Sequence, residues 1–363
     1  MTGSTARDLP VATTRRRGRP TVEVVVPCYN YGHLLPGCLA SILSQEGVEP
    51  TVHVVDDASP DGSGDVAERL AAGDPRVRVT RHEVNKGHIA TYNDGLAETT
   101  GDYVVLLSAD DLIAPGALGR ATELMEAQPG VGFVYGFSRY FTETADLPTH
   151  PGGRARARVV PGPAWIGRRL RKATNTISSP EVVVRGSLQR AVGGYRPDLP
   201  YSGDLEMWLR LAARADVGIV TGVDQAYYRV HQQSMTRVSY RAEIRDLQQR
   251  YAAFAAFLDE AGNSVPEPAA ARRHVGQVLG ASAAWRAGRT LMTAPEQSAE
   301  AEEMERWAVE VAPDVVRTPE YRALRLARRL GARAAVHPAV LATGLRRRVE
   351  EKLYWSSRRR RGV

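Results

Sequence analysis

The sequence predicts an α/β protein: a doubly wound, mostly parallel, Rossmann-like sheet followed by an all-helical C-terminal region. Three observations carry this. Short β-branched runs alternate with helical-period segments between Thr21 and Tyr135, the pattern of βαβ units joined by short connections. Two of those runs lead into adjacent carboxylates, Asp56-Asp57 and Asp110-Asp111, and in open α/β sheets the ligand crevice lies beyond the carboxyl ends of the strands. From Tyr240 onward strand-like runs stop and proline-broken helical periods take over.

In order, residues 1–20 are polar, Arg-rich and unpatterned, and read as a disordered leader. A strand is predicted from Thr21, stopped at Pro27. A helix follows from about Leu34 to Gln45, with Leu35, Leu39, Ile42 and Leu43 at helical spacing. The second strand, Thr51 to Val55, runs into the turn Asp56-Asp57-Ala58-Ser59-Pro60-Asp61-Gly62. Helix, short strand and helix are expected near residues 66–72, 77–79 and 89–97. The four apolar residues Val104 to Leu107 then read as a buried central strand. A helix near 117–127 ends at Pro129-Gly130, and a strand follows at 131–135.

Residues 144–163 are rich in Gly, Pro and Arg and read as a long mobile loop. Past it come a strand near 182–184, a short helix near 187–192 and an amphipathic helix near 205–214. The buried stripe of that last helix is Leu205, Trp208, Leu209 and Ala212. Strands near 218–220 and 226–230 lead to His231. The expected organisation is therefore a leader (1–20), a sheet domain (21–238, halves 21–136 and 137–238) and a helical region (239–363).

The formal net charge is +7, carried almost wholly by arginine, since only Lys86, Lys172 and Lys352 are lysines. With abundant alanine this reads as GC-rich coding, so a basic balance is weak support for a nucleic-acid partner, and none is expected. Basic clusters lie at Arg15 to Arg19 and Arg358 to Arg361. Cys28 and Cys38 have no metal-binding spacing, which fits a reduced, cytoplasmic protein. No apolar run reaches signal-peptide or membrane-spanning length.

Four motifs then stand in order: Pro27-Cys28-Tyr29-Asn30, Asp56-Asp57-Ala58-Ser59, Asn85-Lys86-Gly87 with Tyr92-Asn93, and Ser108-Ala109-Asp110-Asp111. Together they resemble the ordered motifs of family 2 glycosyltransferases, over about residues 22–236. The resemblance implies a GT-A fold, a nucleotide-activated sugar donor (UDP-sugar favoured), inversion at the anomeric carbon, and a Mg²⁺ or Mn²⁺ ion. It implies nucleotide-sugar contacts at Pro27, Tyr29, Asn30, Asp57, Lys86 and Asp110, with metal ligands at Asp111 and His231. The exchange of the two adjacent acids stays open, and so does turn chemistry for Asp57. The family often has an acid where this chain has Ser108, so coordination here rests on one or two carboxylates plus phosphate and water.

Tyr201-Ser202-Gly203-Asp204-Leu205-Glu206 resembles the family's acidic acceptor-side motif and implies Asp204 as catalytic base. A carboxylate within hydrogen-bond reach can take the acceptor's hydroxyl proton. Helix N-capping is the rival role for Asp204, and Glu206 is the weaker base. Arg229 and Arg237 read as phosphate contacts or surface charges. Asp57, Ser59, Asp61, Gly62, Asp65 and Glu68 also fall at EF-hand positions, but a strand precedes them and Pro60 interrupts them, which argues against calcium. The expected acceptor is a saccharide, a lipid-linked oligosaccharide or a small glycoside. The basic C-terminus is a candidate for peripheral contact with an anionic membrane. A catalytically inactive GT-A domain that binds nucleotide-sugar or a partner is the alternative.

Overall fold

The computed structural model describes residues 7–9, 18–148, 152–231, 243–260 and 264–362. They fall into two compact units. The first takes in residues up to Ile166, Thr176–His231 and Arg359–Gly362; the second takes in Gly167–Asn175 and residues from 232 to Arg358. The expected domain boundary near 238 is therefore crossed twice: 167–175 belong with the helical region, and 359–362 return to the sheet unit.

In the first unit, β2 (Thr21–Cys28), β3 (Glu49–Asp56), β4 (Val77–Arg81) and β5 (Tyr103–Leu106) form a parallel array in the order β5-β2-β3-β4. Val22, Val24, Val25 and Val26 are all fully buried, as expected of a strand covered on both faces. Helix α1 (Leu35–Leu43) buries Leu35, Cys38, Leu39 and Ile42, the stripe the sequence spacing gives, with Leu43 half-buried. Helix α2 (Ser63–Gly73) and helix α3 (His88–Ala97) complete the crossovers. Helix α3 lies so close to β2 that a Cβ on Gly95 would sit 2.4 Å from Val25 Cγ1.

Beyond β5 the sheet becomes mixed. After β6 (Leu112–Ile113) and helix α4 (Ala117–Ala127), β7 (Val131–Tyr135) joins the sheet across β10 (Val183–Arg185), which runs antiparallel to both β5 and β7. Strand β11 (Asp216–Thr221) pairs in parallel with β7. The residues expected to be one mobile loop instead contain β9 (Arg156–Val160), antiparallel to β11, and start α5 (Gly162–Lys172). Ala157 and Val160 are the buried positions of β9, and the arginines between them hid the strand pattern. The leader is corrected too: β1 (Arg7–Leu9) pairs antiparallel with β9, while the rest of 1–17 lies outside the described residues, as do 149–151 of the loop. A small second sheet joins β6, β8 (Ser138–Phe141) and β12 (Ala226–Arg229).

Helix α6 (Gly186–Val192) precedes α7 (Gly203–Ala212), in which Leu205, Trp208, Leu209 and Ala212 are all buried. In the second unit, α9 (Pro268–Thr293) packs against α8 (Glu243–Glu260), α10 (Ser298–Val311) and α11 (Pro319–Leu330). Small residues permit this: a Cβ on Gly276 would meet Val311 O at 2.7 Å. Phe254, Leu279, Met304 and Leu324 are buried in that unit. Thr318 caps α11, accepting the Tyr321 N–H at 3.2 Å. Helix α12 (Pro338–Arg361) is the last element.

Candidate functional site

Strands β2, β3 and β5 deliver their carboxyl ends to one edge of the sheet. Parallel registration sets Cys28 beside Asp56, so the residues that follow the two strands lie at the same edge of the sheet. Asn30 adopts the left-handed region (φ 61°), which Asn tolerates better than most residues. Its N–H donates to Ser59 Oγ at 3.0 Å, and Gly32 N–H donates to Ser63 Oγ at 2.7 Å. These bonds tie the end of β2 to the turn after β3. Tyr29 is left 45% exposed, and Pro27 is half-buried.

The first carboxylate pair divides its duties. Asp57 Oδ1 accepts the Lys86 N–H at 2.8 Å and lies 2.8 Å from His82 Nδ1; Oδ2 accepts the Gly87 N–H at 2.9 Å. Burial alone would raise its pKa, but the His82 hydrogen bond and the two N–H donors outweigh it and hold the carboxyl below its ordinary value. Asp57, the expected nucleotide ligand, is thus engaged in holding the 82–88 loop. Gly87 there has φ 83° and ψ 157°, a region open to glycine. Asp56 keeps the other role: Oδ2 accepts the Ser59 N–H at 3.3 Å, while Oδ1 is buried without a partner among the described residues. Asn30 Oδ1 is in the same condition. Lys86 directs Nζ to Asp94 Oδ2 at 2.8 Å. The EF-hand acids are also engaged, Asp61 by Ser63 and both Asp65 and Glu68 by Arg81.

The second pair is held from the opposite side by β12. The Arg229 N–H donates to Asp111 Oδ1 at 2.9 Å, and Arg229 Nε donates to the Asp110 carbonyl at 3.0 Å. Its remaining nitrogens reach Thr142 O and Thr144 Oγ1, and its guanidinium lies 4.4 Å from the Phe141 ring centroid. Arg229 is therefore a clamp on the carboxylate turn and not a free phosphate contact; Arg237 lies outside the described residues. His231 Nε2 stands 3.0 Å from Asp110 Oδ2 and 3.4 Å from the Tyr31 hydroxyl. Burial, then the neighbouring Asp110, push the Asp111 carboxyl well above its ordinary value. Neither acid caps the following helix, whose N-cap is Gly116.

Helix α7 brings Asp204 in its first turn. Ser202 is the N-cap, and Asp204 Oδ1 accepts the Leu205 N–H at 2.7 Å. Glu206 is fully buried and bonded to Arg210 Nε at 2.7 Å, which excludes it from proton transfer with an acceptor. Asn93 locks this side to α3, accepting the Tyr195 N–H at 2.6 Å and donating to its carbonyl at 2.8 Å. Tyr92 then meets Tyr195 edge-on, ring centroids 5.7 Å apart. The Tyr92 hydroxyl is pushed up by burial, then by Asp110 and Asp204. One phenol thus feels both the strand-end acid and the helix-start acid.

Tyr31 and Tyr92 are residues of this region to which the sequence reading gave no role, and Asp56 was read only as serving the turn or the ribose. Asp56 had a signal, since neighbours on extended backbone face opposite ways. Tyr31 had little, because its direction depends on the left-handed Asn30. Asp110, with the His231 imidazole 3.0 Å away, offers an oxygen and a nitrogen donor of the kind Mg²⁺ or Mn²⁺ accepts when phosphate and water complete the shell. Among the described residues no three His, Cys, Asp or Glu side chains are by themselves arranged to hold a metal.

Residues 23–182 match the family described as Glycosyl transferase family 2. An uncharacterised protein of Mycobacterium tuberculosis is 32% identical over 212 residues, 56% of this chain and 65% of that protein, so the chain spans just under two thirds of that relative. The uncharacterised glycosyltransferase EpsJ of Bacillus subtilis is 27% identical over 67% of this chain and 71% of its own length. Among solved structures, S. aureus TarS 1–349 in complex with UDP-GlcNAc superposes with a TM-score of 0.63 at 17% identity, covering 85% of this chain and 91% of that one. The mannosyltransferase PcManGT from Pyrobaculum calidifontis, in complex with GDP-Man and Mn²⁺, gives 0.53 at 20% identity, covering 83% and 88%. At these identities the structural likeness establishes the GT-A fold.

Proposed function

From the premise that residues 23–182 are a family 2 glycosyltransferase domain, we propose that the chain is an inverting glycosyltransferase. It moves a hexose from a nucleoside-diphosphate sugar, UDP-sugar favoured, to a hydroxyl of a saccharide, lipid-linked or small-glycoside acceptor. The observation that carries this is the family match over residues 23–182 together with the carboxylate pair beyond β5, where His231 Nε2 stands 3.0 Å from Asp110 Oδ2 and Asp111 Oδ1 accepts the Arg229 N–H. In this reading Asp110 serves the donor side and Asp204, in the first turn of α7, serves the acceptor side.

Asp204 takes the proton of the acceptor hydroxyl. That oxygen forms the new bond to the anomeric carbon as the bond to the diphosphate breaks on the opposite face, and the electron pair leaves with the nucleoside diphosphate. Asp110, Asp111 and His231 are the residues that would hold a Mg²⁺ or Mn²⁺ ion. When bound, the ion offsets negative charge on the departing diphosphate. The buried acceptors Asp56 Oδ1 and Asn30 Oδ1 suit the N–H edge of a base, and the exposed Tyr29 ring suits its face. Asp57 and Lys86 support that pocket through the loop they hold.

Among the described residues no helix is long and apolar enough to cross a membrane. We assign the basic C-terminal region to peripheral membrane contact.

The test is a thermal-shift panel of UDP-, GDP- and dTDP-sugars with and without Mn²⁺, followed by turnover. A donor at about a hundred times its dissociation constant stabilises by about 2.7 kcal/mol. One nucleotide class gives a Mn²⁺-dependent shift, and Asp204→Asn keeps that shift while its kcat falls about 10³-fold. Donor binding without turnover in the unaltered chain favours the inactive binding module. No shift with any donor overturns the reading.

A further inference from the structure

The helical unit carries a groove of about 1660 Å³, all of whose lining residues belong to that unit. Its walls hold more cations than anions. Asp246 pairs with Arg250 and Arg286, and Glu320 pairs with Arg346 and Arg347. Arg171, Lys172, Arg289 and Arg348 also line it, and their side chains make no ion pair or hydrogen bond among the described residues. Two indoles, Trp285 and Trp355, stand in the same lining.

One wall of the groove is α12, which carries an exposed apolar stripe that begins in the groove lining itself, with Leu341 and Leu345, and runs on along the helix. Leu341, Leu345, Val349 and Leu353 are 56%, 65%, 47% and 66% exposed. Their four-residue spacing keeps them along one side of the helix. At 100° per residue, Lys352 falls within that same stripe and Arg348 at its edge, whereas Glu350 and Glu351 fall well off it. Long cationic side chains among exposed leucines can lay their stems on an apolar phase while their heads reach phosphate. A solvated helix has no use for leucines on its outer face, and an ordinary protein-facing helix would not interleave them with unpaired cations.

We propose that this groove binds the phosphate head group of an anionic lipid, with the outer face of α12 entering the membrane interface. Charge complementarity and the exposed leucines favour this occupant over a second copy of the chain, whose own net charge of +7 would repel it. The inference rests on the reading of peripheral attachment and supplies its ligand and residues. It does not depend on sugar transfer.

Flotation of the full chain with phosphatidylcholine vesicles, with and without phosphatidylglycerol, tests it. The chain should float with the anionic vesicles and not with the neutral ones. Arg289→Gln with Arg348→Gln should lower partitioning about 25-fold, and Leu345→Ser with Leu353→Ser about tenfold. A control pair of exposed arginines outside the groove, Arg322→Gln with Arg329→Gln, should change it less than twofold. Absence of uptake by any vesicle overturns both attachment and groove. Equal losses in groove and control pairs leave attachment standing and overturn the groove. Inorganic phosphate that raises the melting temperature of the unaltered chain but not of the groove variant, with no vesicle uptake, assigns the groove to a soluble phosphate and overturns the lipid. A dimer in gel filtration, dissociated by the leucine changes and without vesicle uptake, overturns it in favour of self-association.

Discussion

The two carboxylate pairs look alike in sequence and are used alike in one respect only. In Asp56-Asp57 and in Asp110-Asp111, the second acid is engaged by backbone N–H groups: Asp57 by Lys86 and Gly87, Asp111 by Arg229. Each first acid is left for other work. The pairs differ in what surrounds that first acid. Asp56 is 1% exposed and holds a buried oxygen with no partner among the described residues, whereas Asp110 meets the imidazole of His231 at 3.0 Å. A buried, unsatisfied acceptor suits a neutral N–H donor, since that needs no counter-charge. An acid beside a second acid and an imidazole suits a cation. Chemistry is thus assigned by the partner each side chain is denied or given, not by which acid comes second.

The comparison can be broken most decisively at the second pair. Asp110→Ala should lower kcat/KM by about 10²- to 10³-fold with little change in melting temperature. If Asp111→Asn alone gave that loss and Asp110→Ala did not, the ligand roles of the two acids would be exchanged. At the first pair the order should reverse. Asp57→Ala strands His82 and two N–H donors and should cost about 3 kcal/mol of stability in urea unfolding. Asp56→Ala should weaken donor affinity about tenfold with a smaller stability loss.

Acid sharpens the same distinction. Because Asp57 is held below its ordinary value of 3.8, its contribution is fully present above that pH and is lost as pH falls through the lower folded value. Asp57→Asn should therefore flatten the fall of the urea midpoint as the pH drops below 3.8. The smallest effect is expected at Tyr92. Tyr92→Phe keeps the ring contact with Tyr195 and should change kcat about threefold, with no loss of stability beyond about 0.5 kcal/mol. A fall as large as that expected for Asp204→Asn would make the phenol a participant in proton transfer.

Much of the architecture was legible from periodicity. The parallel run β5-β2-β3-β4 follows from β-branched segments separated by helical stripes, and the buried faces of α1 and α7 bear out their spacing. Strand β9 was not legible, because its arginines break the apolar alternation and only pairing with β11 and β1 makes it a strand. The short β6 and β8 escape for another reason. Two- and four-residue strands carry too little pattern, and they exist through β12, more than eighty residues away in sequence.

The sequence by itself determined that this chain folds as a Rossmann-like sheet with acids at its strand ends, because burial on two faces demands continuous apolar runs and turns demand Asp, Gly and Pro. It also singled out Asp204, Asp110, Asp111 and His231 as residues to watch. Only tertiary structure decided which acid of each pair does what. Hydrogen-bond donors that arrive from far along the chain (Lys86 and Gly87 at one pair, Arg229 at the other) engage one carboxylate and leave its neighbour to different partners, Ser59 at Asp56 and His231 at Asp110. Local spacing cannot encode that choice, since adjacent side chains share a sequence position to within one residue but face opposite partners.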